Sequence, residues 1–313
     1  RLADSVTQYD ALLAKLERQS DANLTTLNLP HHFKLSSFRN LARQALGESW
    51  VALDYHLAED QLITIIISPD ICQIQTSPIL PRVQMVLDAC RKTHRNATPL
   101  TESDLAVLGN WLIPASIAEG LTPETALVLA PHRALHGIPW AALQPGFASQ
   151  PFVCLCTPCI TPSLRSLAFL WDRATPNRHQ PPARGLVIGL SRFPNTKDEL
   201  PSVREEIHIL RTTLGTNTRY LLENDATWEN LKSLRGQDHS EGLSRFVWLH
   251  FASHAYADVH TGRLSGFSLW DGEIRLDQLR DLAPLPNLVT FSACNSSYSY
   301  IYEGDEHVGV PAT

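Results

Sequence analysis

Two short apolar runs in the C-terminal half end in side chains that could do chemistry. Phe246-Val247-Trp248-Leu249-His250-Phe251-Ala252-Ser253 delivers His254, and Leu288-Val289-Thr290-Phe291-Ser292-Ala293 delivers Cys294. A thiol is a good nucleophile only as thiolate, and an imidazole beside it can take that proton and later hand one to a leaving amine. Such a pair suits cleavage of a peptide bond. Residue type alone leaves a plainer alternative open, since cysteine is also among the most buried small side chains.

A parallel sheet would position these two groups. Apolar runs without alternation mark strands covered on both faces, and in such sheets reacting groups gather beyond the carboxyl ends. Leu186-Val187-Ile188-Gly189-Leu190 is a third run of this kind. Ser202 and Glu205 read as a capping box for a helix whose Val203, Ile207, Leu210 and Leu214 share one face. Between the two chemical strands lie Phe267-Ser268-Leu269-Trp270 and a turn at Asp271-Gly272. These elements predict a β/α sandwich with a mainly parallel sheet. If the strands ending at His254 and Cys294 are neighbours, both side chains open onto one rim.

The N-terminal half alternates strand and helix as well. Leu2, Val6, Tyr9, Leu12, Leu13 and Leu16 recur at helical spacing. Residues 50–57 and 61–68, separated by Ala58-Glu59-Asp60, predict a hairpin. Thr101 and Asp104 are placed to cap a helix carrying Leu105, Leu108, Trp111 and Leu112, ahead of a buried strand over 126–130. Phe152-Val153-Cys154-Leu155-Cys156 reads as a further strand, leading through Pro158 and Pro162 into a helix with Leu164, Leu167, Ala168 and Trp171. Residues 174–184, rich in Pro, Asn, Gln and Arg, read as a linker. The boundary falls there, giving lobes of 1–178 and 179–313.

Composition narrows the function classes. The chain has 313 residues, 43% hydrophobic and 19% charged, which excludes a disordered tail and fits a large folded interior. A formal charge of −6, from 26 basic and 32 acidic residues, leaves no strong electrostatic footprint for nucleic acid. The longest apolar runs are too short for a membrane span. Six dispersed cysteines in a chain this size read as reduced thiols of a cytoplasmic protein. The start at Arg1 suggests a piece of something longer.

The phrases Trp248-Leu249-His250-Phe251-Ala252-Ser253-His254 and Leu288-Val289-Thr290-Phe291-Ser292-Ala293-Cys294 resemble the two catalytic blocks of the CHAT family, caspase-like cysteine peptidases related to separases. Upstream, residues 126–143, with Leu135-His136-Gly137-Ile138-Pro139, resemble that family's strand and Leu-His-x-Ile-Pro turn. Thr161-Pro162-Ser163-Leu164 and the helix start Leu200-Pro201-Ser202-Val203-Arg204-Glu205-Glu206 fall in family order too. The similarity runs over roughly residues 40 to 310.

The resemblance implies a caspase-like α/β/α sandwich whose catalytic lobe follows a non-catalytic caspase-like lobe. It implies a cysteine endopeptidase acting on a protein substrate, with Cys294 as nucleophile and His254 as general base and acid. Backbone N–H groups of Ala255 and Cys294 would hold the oxyanion. Ala255 stands where the family usually has glycine. No metal or organic cofactor is implied. An activating partner or an upstream helical-repeat module is expected, with no role for a membrane. Asp305 and Glu306 are candidates for binding a basic substrate side chain, with a solvated acidic loop as the alternative. The family normally continues beyond the equivalent of Thr313, so the catalytic lobe is expected to be truncated. The rival reading is an inactive caspase-like scaffold that docks partners without cutting them.

Other signals are weaker. His250 and His254 are four apart, as are His132 and His136, but no HExxH glutamate accompanies them; His250 reads as structural, and His132 and His136 as turn residues. The Cys154, Cys156, Cys159 cluster has no second paired set and reads as core. Gly185-Leu186-Val187-Ile188-Gly189 is not a dinucleotide fingerprint, and Ser191 has no flanking glycine pair for a nucleophile elbow.

Overall fold

A computed structural model describes residues 34–96, 99–146, 150–173, 184–194, 199–214, 217–235, 242–256, 265–293, 299–301 and 307–309. The chain divides into two compact units, Arg1–Thr175 and Pro176–Thr313. The N-terminal helix expected over residues 2–16 and nearly all of the linker lie outside the described residues.

In the first unit, helix α1 (Leu35–Leu46) leads into β1 (Trp50–Leu57), β2 (Gln61–Ile67) and β3 (Cys72–Pro78). Then come helices α2 (Pro81–Asn96), α3 (Glu102–Leu112) and α4 (Ala115–Ala118), strands β4 (Ala126–Ala130) and β5 (Thr157–Ile160), and helix α5 (Leu164–Arg173). The sheet order is β3-β2-β1-β4-β5. The β1–β2–β3 meander is antiparallel, whereas β4 runs parallel to both β1 and β5. Alternate residues on β1 face opposite ways, as strand geometry requires. Leu53, Tyr55 and Leu57 pack with Val83, Val86 and Leu87 of α2 and Leu108 and Leu112 of α3. Trp50 and Ala52 pack the other way, with Phe38 of α1 and Leu164 and Leu167 of α5. Helices therefore cover both faces.

Helix α3 starts as its sequence anticipates. The Thr101 side chain accepts from the Asp104 N–H while the Asp104 carboxylate accepts from Thr101. One expectation needs correction. Residues 152–154 form a single 3-10 turn, with Phe152 buried and Cys154 exposed, and the strand falls at Thr157–Ile160 instead. Pro158 does not break that strand because β5 is a sheet edge, where a missing N–H goes unmissed. The exposed strand β3 has no counterpart in the sequence reading.

The second unit contains β6 (Gly185–Gly189), helix α6 (Pro201–Leu214), β7 (Thr218–Leu222), helix α7 (Trp228–Ser233) and β8 (Trp248–Ala252). Next are β9 (Ala255–Tyr256), β10 (Gly266–Leu269), β11 (Gly272–Arg275), helix α8 (Leu276–Leu279) and β12 (Leu288–Ser292). A short ribbon of β13 (Ser299–Ile301) and β14 (His307–Gly309) follows. Strands β12-β8-β6-β7 form one sheet, parallel throughout, and β11-β10-β9 form a small antiparallel one. The turn at Asp271-Gly272 joins β10 to β11, as its residue types suggest. Ser202 is not a cap: helix α6 begins at Pro201, whose fixed φ and absent N–H suit a first turn, so Ser202 lies inside the helix.

Both faces of this sheet are covered too. Val187 and Ala252 meet Val203 and Ile207 of α6. Leu186, Ile188, Leu249 and Phe251 meet Leu231 of α7, Phe267 and Leu269 of β10, and Leu279 of α8. The Trp248 indole lies against Gly185 on the neighbouring strand, 2.4 Å from where a Cβ would stand, so a larger residue there would displace the ring. Each unit is thus an α/β/α layer of the caspase-like kind.

Candidate active site

The parallel sheet begins at an inner strand, β6; the chain then adds β7 on one side and β8 on the other. That reversal is a topological switch point, the place where such sheets open a crevice at their carboxyl ends. Pairing of β6 with β8 continues one step past the strand, through Leu190 N–H to the Ala252 carbonyl at 3.0 Å. At that point Ser191-Arg192-Phe193 leaves β6 and Ser253-His254 leaves β8.

His254 is half-buried there, and its ring lies against Phe193 with centroids 4.7 Å apart. The exit of β8 is pinned to β10 by two bonds. Ser253, itself buried, donates its hydroxyl to the Ser268 carbonyl at 2.8 Å, and Ser268 N–H donates to the His254 carbonyl at 2.9 Å. The second bond also fixes the alternation of the ladder. With residues 254 and 268 a hydrogen-bonded pair, Ala255 and Phe267 are a non-bonded pair. The Ala255 N–H therefore points away from β10, on the side where β9 has no partner strand among the described residues. Ala255 is extended backbone, and among the described non-glycine residues only Arg133 and Glu223 have positive φ. Alanine is therefore unstrained at this position.

Strand β12 lies beside β8, with Thr290 opposite His250 and Ser292 opposite Ala252. His254 and Cys294 each follow their strand's last paired residue by two positions. Cys294, Asp305 and Glu306 themselves lie outside the described residues. From below, Phe251, Phe267 and Phe291 bind β8, β10 and β12 together; Phe267 and Phe291 stack at 4.7 Å and 7°.

Three features of this rim escape a reading by sequence. Phe193, against the imidazole, is one. Glu223 is another: from the end of β7 its carboxylate accepts the Ser191 N–H, the Ser191 hydroxyl and the Arg192 N–H, fixing the loop that carries Phe193. Ser191 is thereby committed to structure. Third, Glu206 reaches from α6 to both chemical strands, lying 3.1 Å from His250 Nε2 and accepting from the Ser292 hydroxyl at 2.9 Å. The glutamate lay within the Leu200–Glu206 block, but nothing in its spacing points across the sheet.

The remaining candidates are structural. His250 is buried on the α6 face, with Nδ1 2.7 Å from Thr290 Oγ1. Burial pushes its pKa down and the Glu206 carboxylate pushes it back up; the net direction is down, so His250 is neutral at pH 7. The Nε2 contact to Glu206 is close but poorly aligned, an electrostatic contact more than a directed hydrogen bond. His132 accepts the Leu57 N–H on Nδ1 at 2.9 Å and stacks on His56 at 4.4 Å. Burial raises the thiols of Cys90 and Cys156 to about 11 and also raises that of Cys159, which suppresses nucleophilicity. Among the described residues no three His, Cys, Asp or Glu side chains gather as metal ligands. None of the described helices is long and apolar enough to cross a membrane.

The second unit is a caspase-like α/β/α layer with His254 just beyond the carboxyl end of β8, beside the switch point. The profile of the CHAT domain matches residues 102–313, well over half of the chain, and the chain belongs to that family. No curated protein matches it.

Proposed function

We propose that the chain is a CHAT-type cysteine endopeptidase that cleaves a protein substrate. The observation that carries this reading is the parallel, in-register pairing of β8 with β12, the two strands that lead into His254 and Cys294. Partial burial of His254 against Phe193 supports it, because a shielded imidazole holds one orientation.

The Cys294 thiol gives its proton to the imidazole, and the thiolate attacks the scissile carbonyl, forming a C–S bond and a tetrahedral oxyanion. The Ala255 N–H, turned away from its ladder, is suited to that oxyanion together with the Cys294 N–H. Collapse breaks the C–N bond as the imidazolium protonates the leaving amine. Water, deprotonated by His254, then hydrolyses the thioester and restores the thiol. Asp305 and Glu306 are proposed to favour a basic residue before the cut, and a partner or upstream module to switch the enzyme on.

A thiol-directed peptide probe tests the reading. Labelling at Cys294 should vanish in Cys294→Ala and fall by about 10²- to 10⁴-fold in His254→Ala. Absence of His254-dependent labelling, with and without added partner proteins, would instead identify a non-cleaving scaffold.

A further inference from the structure

The proposed chemistry leaves one polar cluster unused. It sits on the α6 face of the parallel sheet, opposite the phenylalanine layer, among Val187, Ala252, Val203 and Ile207. There Glu206 of α6 faces His250 of β8 with one carboxylate oxygen and takes the Ser292 hydroxyl of β12 with the other. His250 in turn meets Thr290 of β12 at 2.7 Å.

Proton placement follows from the acceptors. An unprotonated Nε2 would set its lone pair against a carboxylate at 3.1 Å, so the neutral ring carries its proton on Nε2. Nδ1 is then an acceptor and Thr290 donates to it, in preference to the Leu249 carbonyl 3.4 Å away. The network runs Thr290 to His250 to Glu206, with Ser292 closing it from the second strand. Each contact crosses between elements: hydrogen bonds from β12 to β8 and from β12 to α6, and the electrostatic contact of β8 with α6.

Aliphatic side chains would pack this face at least as well, and burying a partly satisfied histidine is costly. What aliphatic packing lacks is direction. Apolar contacts let one strand slide against another by fractions of an ångström, whereas a carboxylate that accepts a hydrogen bond from one strand and attracts an imidazole on the other resists it. Ser292 stands two residues before Cys294, and His250 four before His254.

We infer that Glu206 is a positioning residue of the active site, its carboxylate clamping β8 and β12 from helix α6 so that the histidine and cysteine they lead into meet at a fixed separation. The inference rests on the cysteine-peptidase reading above. Ser292 and His250 transmit the clamp; neither touches substrate.

The test is the rate at which iodoacetamide alkylates Cys294 in the full chain. It is read by mass spectrometry of the Cys294 peptide from pH 5 to 9, so no substrate need be known. The wild-type rate should extend to low pH and lose that extension in His254→Ala. In Glu206→Ala the rate at pH 6.5 should fall at least tenfold, and the apparent pKa should move toward that of an ordinary thiol, about 8.5. Glu206→Gln should lie between. Ser292→Ala should shift the profile the same way by less, and add little on top of Glu206→Ala because the two share one carboxylate. A purely structural glutamate would lower the melting temperature and leave this profile in place. A His254-dependent profile that Glu206→Gln and Ser292→Ala leave unchanged overturns the inference alone. A profile that ignores His254→Ala overturns the peptidase reading, and the inference with it.

Discussion

Asp54 stands in the middle of β1, on the face covered by α1 and α5, and is predicted to weaken the first unit at neutral pH. Its neighbours across the ladder are Ile65 and Ala130. Burial raises its pKa from 3.8 to about 6, with the His56 charge pulling slightly the other way. Between these values the folded state keeps a proton that the unfolded chain releases, so the Asp54 contribution to stability falls as pH rises from about 4 to 6 and stays lost above. The shift is worth about 3 kcal/mol at pH 7, and about 1 to 3 kcal/mol once water reaching the half-buried side chain is allowed for. Asp54→Asn keeps the volume and cannot ionise, so it should stabilise by that amount at pH 7 and by less than about 1 kcal/mol at pH 4. Amide exchange in graded urea at Leu53 and Leu129, buried partners in β1 and β4, reads this locally, without interference from unfolding of the second unit. A stabilisation equal at both pH values, or a destabilised Asn variant at pH 7, would refute the reasoning.

Two further outcomes follow from the rim and from the other thiols. Phe193→Ala removes a ring contact of about 0.5–1.5 kcal/mol from His254, so kcat, or the alkylation rate of Cys294, should fall by about 2- to 12-fold with KM unchanged; Phe193→Tyr should restore it. Quantitative alkylation at pH 7.5 should leave Cys90 and Cys156 unmodified, because their thiols sit near 11, and modify them only once the first unit is unfolded.

The strands at the heart of both sheets were legible because being covered on both faces demands apolar runs: residues 126–130 and 186–190 are unbroken, and 248–252 is broken only by His250. The Thr101–Asp104 cap was legible because its two bonds are local. Strand β3 was not. All seven of its residues, Cys72–Pro78, are exposed or partly exposed, so no buried face leaves a pattern, and backbone pairing to β2 alone makes it a strand. The 152–156 run misled because Phe152 and Cys156 are buried by a turn that shares spacing with a strand. At the site, the identities of His254 and of the strand leading to Cys294 came from resemblance. The register of β8 on β12 was implicit only in their equal spacing. Phe193, Glu206 and Glu223 act across the sheet or between loops, and contacts of that kind leave no periodicity in the chain.

Strand β12 pairs with a segment made 40 residues earlier, after the whole β9–β11 hairpin region. On the ribosome, β7, β6 and β8 can associate before β12 emerges, and at about 5–20 residues per second the delay is about 2 to 8 s. During it the outer edge of β8 has no partner, a window in which a growing chain is vulnerable to wrong pairing and to chaperone capture. The same delay separates the making of the strand that leads into His254 from the making of the strand that leads toward residue 294.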